Sequence, residues 1–254
     1  MRKQTDFDPV IKDSQQKMSD TVAVVPARGG SKGVPRKNLR TIDGQPLVSY
    51  QIETALAAER IDRVILSTDD EEIAEIGQKY GAEVPFIRPA SLSQDDVPVI
   101  AVVKHALEYL IEENSRPTQI HCLQPTSPFT TPEQVDKAAV KLRNTDCDSV
   151  VAVERITDTH PHRAYRLEGD RIAPLEGITD ETPNQRQDRP DTFGFTGAIY
   201  ARKPKLLLNW DKTDFALGTD IRAIIQREES TIEIDTEFQL RIAKAIAKFT
   251  DEVK

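Results

Sequence analysis

The feature that most restricts this chain is an alternation that holds from residue 21 to residue 153. Short apolar runs are followed each time by a segment with helical spacing, and the links between them are short. "TVAVV" opens the series as a β-branched run suited to a strand buried on both faces. "PLVSYQIETALAAE" then sets Leu47, Tyr50, Ile52, Ala55 and Leu56 near helical spacing, with Pro46 at a first-turn position. "RVILST" is a second strand, and "DDEEIAEIGQKYG" an acid-headed helix that stops at Gly81, as dipole and C-cap preferences require. The run "EVPFI", the helix "VPVIAVVKHALEYLIEE", the strand "QIHCLQ", the helix "TPEQVDKAAVKLRN" and the strand "SVVAV" continue the pattern. Repeated strand–helix units with short links imply an α/β fold: a mainly parallel sheet wrapped by helices on both faces. Such sheets bind ligands beyond the carboxyl ends of their strands.

The regularity is absent from residues 1–20, which are polar and aperiodic and read as a flexible tail. It breaks again near residue 155. Residues 155–187 are rich in Arg, Asp, His and Pro, and loops of that length without structure are uncommon in compact domains. They read as an arm inserted into the sheet domain, with a long surface loop as the alternative. The strand "TGAIYA", the short helix "PKLLLNW", the strand "STIEI" and the amphipathic helix "TEFQLRIAKAIAKF" follow. The expected organisation is a core of residues 21–154 and 188–254 carrying the arm.

A chain of 254 residues buries enough surface to fold without a disulfide or metal staple. Cys122 and Cys147 accordingly read as reduced core thiols. There is no apolar run approaching roughly 18 residues and no signal-peptide pattern, so a cytoplasmic protein without a membrane partner is expected. A net charge of −8 argues against broad nucleic-acid binding, which calls for a basic surface.

Against that acidic background, "VVPARGGSKGVPRKN" gathers Arg28, Lys32, Arg36 and Lys37 on a glycine-rich loop directly behind the first strand. Like charges repel, so the arrangement is costly unless an anion occupies it. The order fits neither a Walker A loop nor G-x-G-x-x-G. Gly29 and Gly30 nevertheless let the backbone turn tightly with amides facing an anion. Arg28 and Lys32 can add charge-assisted hydrogen bonds to phosphate oxygens. A solvated turn with incidental cations is the plainer reading.

Two further stretches carry chemistry. In "QPTSPFTTPEQ", Gln124 ends a strand and offers an amide that both donates and accepts, as recognition of a base or sugar demands. Its second half is accounted for by an ordinary helix start at Thr130 and Pro132. In "TIEIDTEF", Glu233 and Asp235 alternate with Ile232 and Ile234, which puts both carboxylates on one side of a strand. Paired carboxylates suit Mg²⁺, which takes one or two of them and completes its shell with water and phosphate oxygens. Asp235 also fits a helix N-cap position. His105 and His121 read as packing or surface residues, and His160 and His162 lack zinc-type spacing.

Taken in order, P-A-R-G-G-S-K-G…K-N, S-T-D, R-P, Q-P-T-S-P, R-Q…G-A-I-Y and E-I-D-T-E resemble the CMP-N-acylneuraminate (CMP-sialic acid) synthetases, from about residue 21 to the end. The resemblance implies a Rossmann-like fold of the nucleotide-diphospho-sugar transferase type, CTP and Mg²⁺ as partners, an acidic nine-carbon sugar as substrate, and a homodimer built by the arm. It implies that Arg28, Ser31, Lys32 and Lys37 hold the triphosphate, that Asn38 contacts the nucleotide, and that Arg88 sits by the cytosine. Gln124 would touch the sugar, and Arg163 and Arg186 would reach its carboxylate, Arg163 from the partner's arm. Asp235, with Glu233 beside it, would ligate the metal, and Arg28, Lys32 and Asp235 would serve the chemical step. Glu233 stands where the family often has Asp, Thr196 and Gly194 replace an Asn and an Arg, and Arg163 occupies a position that can be Lys. Most of these departures lie on the sugar side. Another nucleotide, a deoxyoctulosonic acid, or a non-catalytic nucleotide binder of the same fold are the competing readings.

Overall fold

The computed structural model describes residues 21–157, 160–175 and 185–251, so the expected tail and part of the expected arm lie outside the described residues. The alternation of the sequence becomes β1 (Thr21–Pro26), the hairpin β2 (Thr41–Ile42) and β3 (Gln45–Pro46), α1 (Leu47–Ala57), β4 (Arg63–Ser67), α2 (Glu71–Lys79), α3 (Val99–Glu112), β5 (Gln119–Leu123), α4 (Pro132–Thr145) and β6 (Ser149–Arg155). Within the arm, β7 (Tyr165–Glu168) and β8 (Arg171–Pro174) pair as a hairpin. The chain then adds β9 (Phe193–Arg202), α5 (Pro204–Leu208), β10 (Ile221–Ile225) and α6 (Glu237–Asp251).

Six strands form one sheet in the order β10-β6-β9-β5-β1-β4. β9 is antiparallel to both its neighbours, and the other five run the same way. From β1 the chain goes to β4 on one side and then returns to β5 on the other. The order of winding therefore reverses between β1 and β5, and the crevice at their carboxyl ends is the ligand position of such a sheet.

The core has two layers because the parallel strands are apolar on both faces. Val25, Leu66 and Leu123 pack with Ile52 of α1, Ile73 of α2 and Val135 of α4 on one face. On the other, Val24, Ile65 and Ile120 meet Val103, Leu107 and Leu110 of α3. A third cluster lies outside the sheet and matters more for the site. Val34 from the cationic loop, Ile42 and Leu47 close against Ile234 and against Leu240 and Ala243 of α6.

Two expected elements come out differently. Residues 230–234, read as the strand "STIEI", join no sheet; the Ile234 N–H instead donates to the Thr126 carbonyl at 2.8 Å. "EVPFI" likewise forms only single bridges, Ile65 to Glu83 and Thr68 to Ile87. The edge strand β10, at "IRAII", has no counterpart among the expected elements. Among the described residues no helix is long and apolar enough to cross a membrane.

Candidate active site

The loop after β1 is built from within. The Asn38 side-chain amide, buried beneath it, donates to the Arg28 carbonyl at 2.9 Å and holds the two ends of the turn together. The Gly29 N–H donates to Asp69 Oδ1 at 3.1 Å, which attaches the loop to the segment after β4. Arg88, only 4 % exposed, braces the same place through Ser67 O (3.0 Å), Ser93 Oγ (3.0 Å) and Asp69 Oδ1 (3.3 Å). Burial pulls its guanidinium below the usual arginine range, with Asp69 opposing.

The four loop cations separate. Arg36, in left-handed conformation (φ 51°), turns to Glu72 (2.7 Å) and Asp70 (3.3 Å) at the amino end of α2. Arg28 and Lys32 converge on one carboxylate, Asp95, at 2.8 and 2.7 Å. The hydrogen bond from Lys32, then the charge of Lys32 and Arg28, hold the Asp95 carboxyl below the ordinary range. Lys37 turns the other way. Its ammonium, on a side chain 13 % exposed, donates to Ile234 O at 2.8 Å and Asp235 Oδ1 at 2.9 Å.

That contact joins the cationic loop to the acidic segment, and packing reinforces it. Val34 and Ile234 are both fully buried in the third cluster. A Cβ on Gly33 would lie 2.0 Å from the Asp235 carbonyl oxygen, so the two backbones meet where only glycine fits. Asp235 is not the cap of α6. Thr236 takes that place, its Oγ1 accepting from the Gln239 N–H at 3.2 Å while Gln239 Oε1 accepts from the Thr236 N–H at 2.9 Å. The Asp235 side chain is thereby left for the site.

The turn after β5 is fixed from below. Gln51 donates to the Ser127 carbonyl, and Thr54 Oγ1 donates to the Thr130 carbonyl at 3.0 Å. The turn in turn carries Thr126, whose carbonyl holds Ile234 and whose hydroxyl reaches Glu233 Oε1 at 3.5 Å. Across from it β9 bulges. Between the pairs Val151–Tyr200 and Val153–Phe195, β6 advances two residues and β9 five. The surplus pushes Gly197 (φ 73°) toward the site, where a Cβ would meet Glu233 Oε1 at 3.2 Å and Gln124 Nε2 at 3.5 Å. Burial first, then the Asp235 charge, raises the Glu233 carboxyl above its ordinary range, against the pull of Lys37.

The result is a cleft of about 220 Å³ at the β1/β5 crevice. Arg28, Lys37, Asn38, Arg88 and Gln124 line it together with Asp95 and Thr126, and Glu233 and Asp235 stand on its border through Thr126 and Lys37. Ser31 and Lys32 sit on the loop outside the lining, Lys32 joined to it by Asp95. Arg163 is exposed in a turn of the arm, apart from this cleft. The backbone of Arg186 begins a short 3-10 turn, and its side chain lies outside what the structure describes. Asp95, Thr126 and the Gly197 bulge were not among the expected site residues. Only the fold brings Asp95 to the loop, since its "QDD" context reads as acids ahead of a helix.

Among the described residues no group of three or more His, Cys, Asp or Glu could hold a metal by protein ligands alone. The two carboxylates that do approach one another, Glu233 and Asp235, still match Mg²⁺, a hard cation that keeps waters and substrate phosphates as its other ligands. The upward shift of Glu233 marks negative charge that a cation there would offset.

A mainly parallel sheet whose switch-point crevice combines a cationic loop, an amide and an acidic border is suited to hold a nucleoside triphosphate. The cytidylyltransferase family model matches residues 22–168. Over 231 residues the chain is 32% identical to a pseudaminic acid cytidylyltransferase of Campylobacter jejuni subsp. jejuni serotype O:2, covering 91% of this chain and 97% of that one. Over 238 residues it is 30% identical to a CMP-N,N'-diacetyllegionaminic acid synthase of Legionella pneumophila subsp. pneumophila, again covering 91% and 97%. Its fold superposes on a solved CMP:2-keto-3-deoxy-manno-octonic acid synthetase complexed with CTP, with a TM-score of 0.69 at 19% identity, over 92% of this chain and 100% of that one. The chain belongs to the cytidylyltransferase family, in its CMP-nonulosonate synthetase branch.

Proposed function

We propose that the protein activates an acidic nine-carbon sugar: CTP and the sugar acid give the CMP-sugar and pyrophosphate. The observation that carries this reading is the junction of Lys37 with Asp235 at the switch-point crevice, which supports a phosphate seat on the loop cations beside the carboxylates of Asp235 and Glu233.

In the reaction the anomeric hydroxyl oxygen forms a bond to the α-phosphorus, the bond to the pyrophosphate oxygen breaks, and the hydroxyl proton is released. Such a transfer needs little covalent help and proceeds by positioning and charge stabilisation. Arg28 and Lys32 offset charge on the departing pyrophosphate, with Ser31 and Lys37 completing the phosphate seat. Asn38 keeps the loop in shape and faces the nucleotide. Arg88 lies under the base end of the cleft, and Gln124 meets the sugar. Asp235 and Glu233 would hold Mg²⁺, which supplies Lewis acidity at the phosphates when bound.

The arm supplies the rest of the proposal. Leu167 pairs with Ile172 and Tyr165 with Pro174, and Tyr165, Leu167 and Ile172 are all exposed large apolar residues. A two-stranded hairpin is not stable by itself in water, so this one calls for a cover. A second copy of the chain suits that role, giving a homodimer in which Arg163 reaches the partner's sugar carboxylate and Arg186 assists. Leu167→Asp with Ile172→Asp then yields monomers in sedimentation; an unchanged dimer removes the arm from the interface. Two buried free thiols and a need for CTP suit the cytoplasm.

Pyrophosphate release measured with each of the four nucleoside triphosphates, plus a panel of acidic sugars, tests the reaction. CTP alone supports release on this reading; release with ATP or GTP and none with CTP overturns it.

A further inference from the structure

The bulge that brings Gly197 to the cleft is held from behind by a chain of hydrogen bonds that the reaction itself does not use. The chain begins at the amino end of α4, where the Thr131 N–H donates to Gln134 Oε1 at 3.1 Å in a capping box. The same oxygen accepts from Gln226 Nε2 at 3.1 Å. Gln226 is buried, follows β10 directly and stands level with the bulge, its own N–H donating to the Val153 carbonyl of β6 at 2.8 Å. Its Oε1 accepts from the buried Thr196 hydroxyl at 2.5 Å, with the Ala152 carbonyl a more distant acceptor at 3.4 Å. Thr196 Oγ1 in turn accepts from the Ala198 N–H at 3.5 Å, across Gly197.

The direction of this chain is set at its start. A backbone N–H can only donate, so Gln134 presents its oxygen, and Gln226 has to meet that oxygen with its NH₂ group. The Gln226 oxygen is then left for Thr196, whose single proton goes there and whose lone pair faces the Ala198 N–H. Only an amide in this orientation satisfies both neighbours, and a buried polar group without its partner is costly.

Both ends of the chain belong to the cleft. Thr131 closes the turn that starts at Gln124, and the Gln124 N–H donates to the Ala198 carbonyl at 3.4 Å. A Cβ on Gly197 would lie 3.5 Å from Gln124 Nε2, so the bulge is packed against the amide that it supports. The loop cations are held otherwise: Arg28 and Lys32 by Asp95, and Lys37 by Asp235.

We propose that Gln226 is a positioning residue for the sugar side of the cleft: its buried amide locks the Gly197 bulge to the turn that carries Gln124, and so fixes where the Gln124 amide stands. The inference rests on the cytidylyltransferase reading, in which Gln124 meets the sugar and the loop cations meet CTP.

Steady-state kinetics tests it, with whichever of pseudaminic acid, N,N'-diacetyllegionaminic acid and N-acetylneuraminic acid the wild type turns over fastest. Gln226→Met keeps the length of the side chain and removes both of its bonds. It should raise KM for the sugar about fivefold or more, the scale of one misplaced hydrogen bond, while KM for CTP stays within about twofold of wild type. Thr196→Val, which keeps the shape and loses the hydroxyl, should act in the same way. Thr196→Ser, which keeps the hydroxyl, should retain the wild-type KM for the sugar. If Gln226→Met does not fold, the two Thr196 variants carry the comparison. An unchanged KM for the sugar overturns the inference. So does an equal rise in both KM values, which would make the chain a general brace, or a Thr196→Ser enzyme as impaired as Thr196→Val. In each of those cases pyrophosphate release by the wild type still upholds the cytidylyltransferase reading. No release with any of the three sugars, from a wild type that melts cooperatively, overturns both.

Discussion

The Lys37 ammonium lies 2.9 Å from Asp235 Oδ1, although 198 positions of sequence separate the two residues. The contact closes the cationic loop onto the segment that leads into α6, and it places the one well-covered loop cation against a carboxylate left 58% exposed. A pair so unequally buried contributes little to stability, since an exposed partner remains screened by water, but it fixes where both groups stand. Asp235→Ala should therefore lower unfolding stability by less than about 1 kcal/mol. The same substitution should reduce turnover by about a hundredfold or more, as expected if the cation that offsets charge on the phosphates loses its proposed ligand. Chemical denaturation and steady-state kinetics on the one variant check both. Turnover that survives would take Asp235 out of the site.

Gly33 offers a finer probe. Alanine there would drive a methyl into the Asp235 carbonyl, 2.0 Å from the ideal Cβ position, so one of the two backbones has to move. A misplacement of about 1 Å at a reacting centre costs on the order of a hundredfold in rate. Gly33→Ala is expected to lose activity on that scale. Gly30→Ala, whose Cβ would find nothing within 4 Å, should behave like the wild type. Equal kinetics for the two variants would show that the loop's approach to Asp235 has no bearing on catalysis.

Asp95 occupies the two cations proposed above for the triphosphate. Arg28 and Lys32 both bind its carboxylate, so CTP seated as proposed would displace an internal anion. Asp95→Asn should tighten CTP binding by about two- to tenfold, the scale of two exposed ion pairs, and the gain should shrink as salt is added. Calorimetry in low and high salt reads this directly. Weaker binding in the variant would instead make Asp95 a support for the loop.

His121 sets an acid limit on the fold. It is fully buried in β5, bonded through Nε2 to Gln119 Oε1 at 3.0 Å, and burial together with the nearby Arg202 charge pushes its pKa down to about 3. The unfolded chain takes up this proton near the ordinary value of about 6.5, while the folded chain refuses it. The stability it confers is thus complete above that value and falls away as the pH drops toward the folded value. Over that window the wild type should lose about 1.4 kcal/mol per pH unit more than His121→Asn. Denaturation midpoints at several pH values give the two slopes; parallel slopes would mean that His121 protonates without unfolding.

Most of the sheet was legible because its strands are buried on both faces. "TVAVV", "RVILS", "QIHCL" and "SVVAV" stand out as apolar runs with nothing to confuse them. β10 was not legible: it is an edge strand, largely exposed, and "IRAII" is a short run in polar surroundings. The error at residues 230–234 has the opposite cause. Ile232 and Ile234 alternate with acids as in a strand, yet what they pack against is α6 and the loop, a tertiary cluster with no local signature. The same limit applies to the site. Arg28, Lys37 and Gln124 could be picked out as chemical types on a sheet rim, Asn38 and Arg88 only through the family resemblance, and the structure brings all five to one cleft. Arg36 could not be told from its neighbours until α2 claimed it, and Asp95 became visible only through the two cations it holds.

The central claim is that one cleft, closed by Lys37 and Asp235, transfers the α-phosphorus of CTP to a sugar hydroxyl. Phosphorus NMR of the enzyme with CTP, Mg²⁺ and a diacetylated nonulosonic acid follows that atom itself. The three CTP resonances should decay together into a single phosphodiester signal and an equal amount of pyrophosphate. Persistence of CTP, or its conversion to CDP and orthophosphate, would mean that the cleft binds a nucleotide without making the proposed bond.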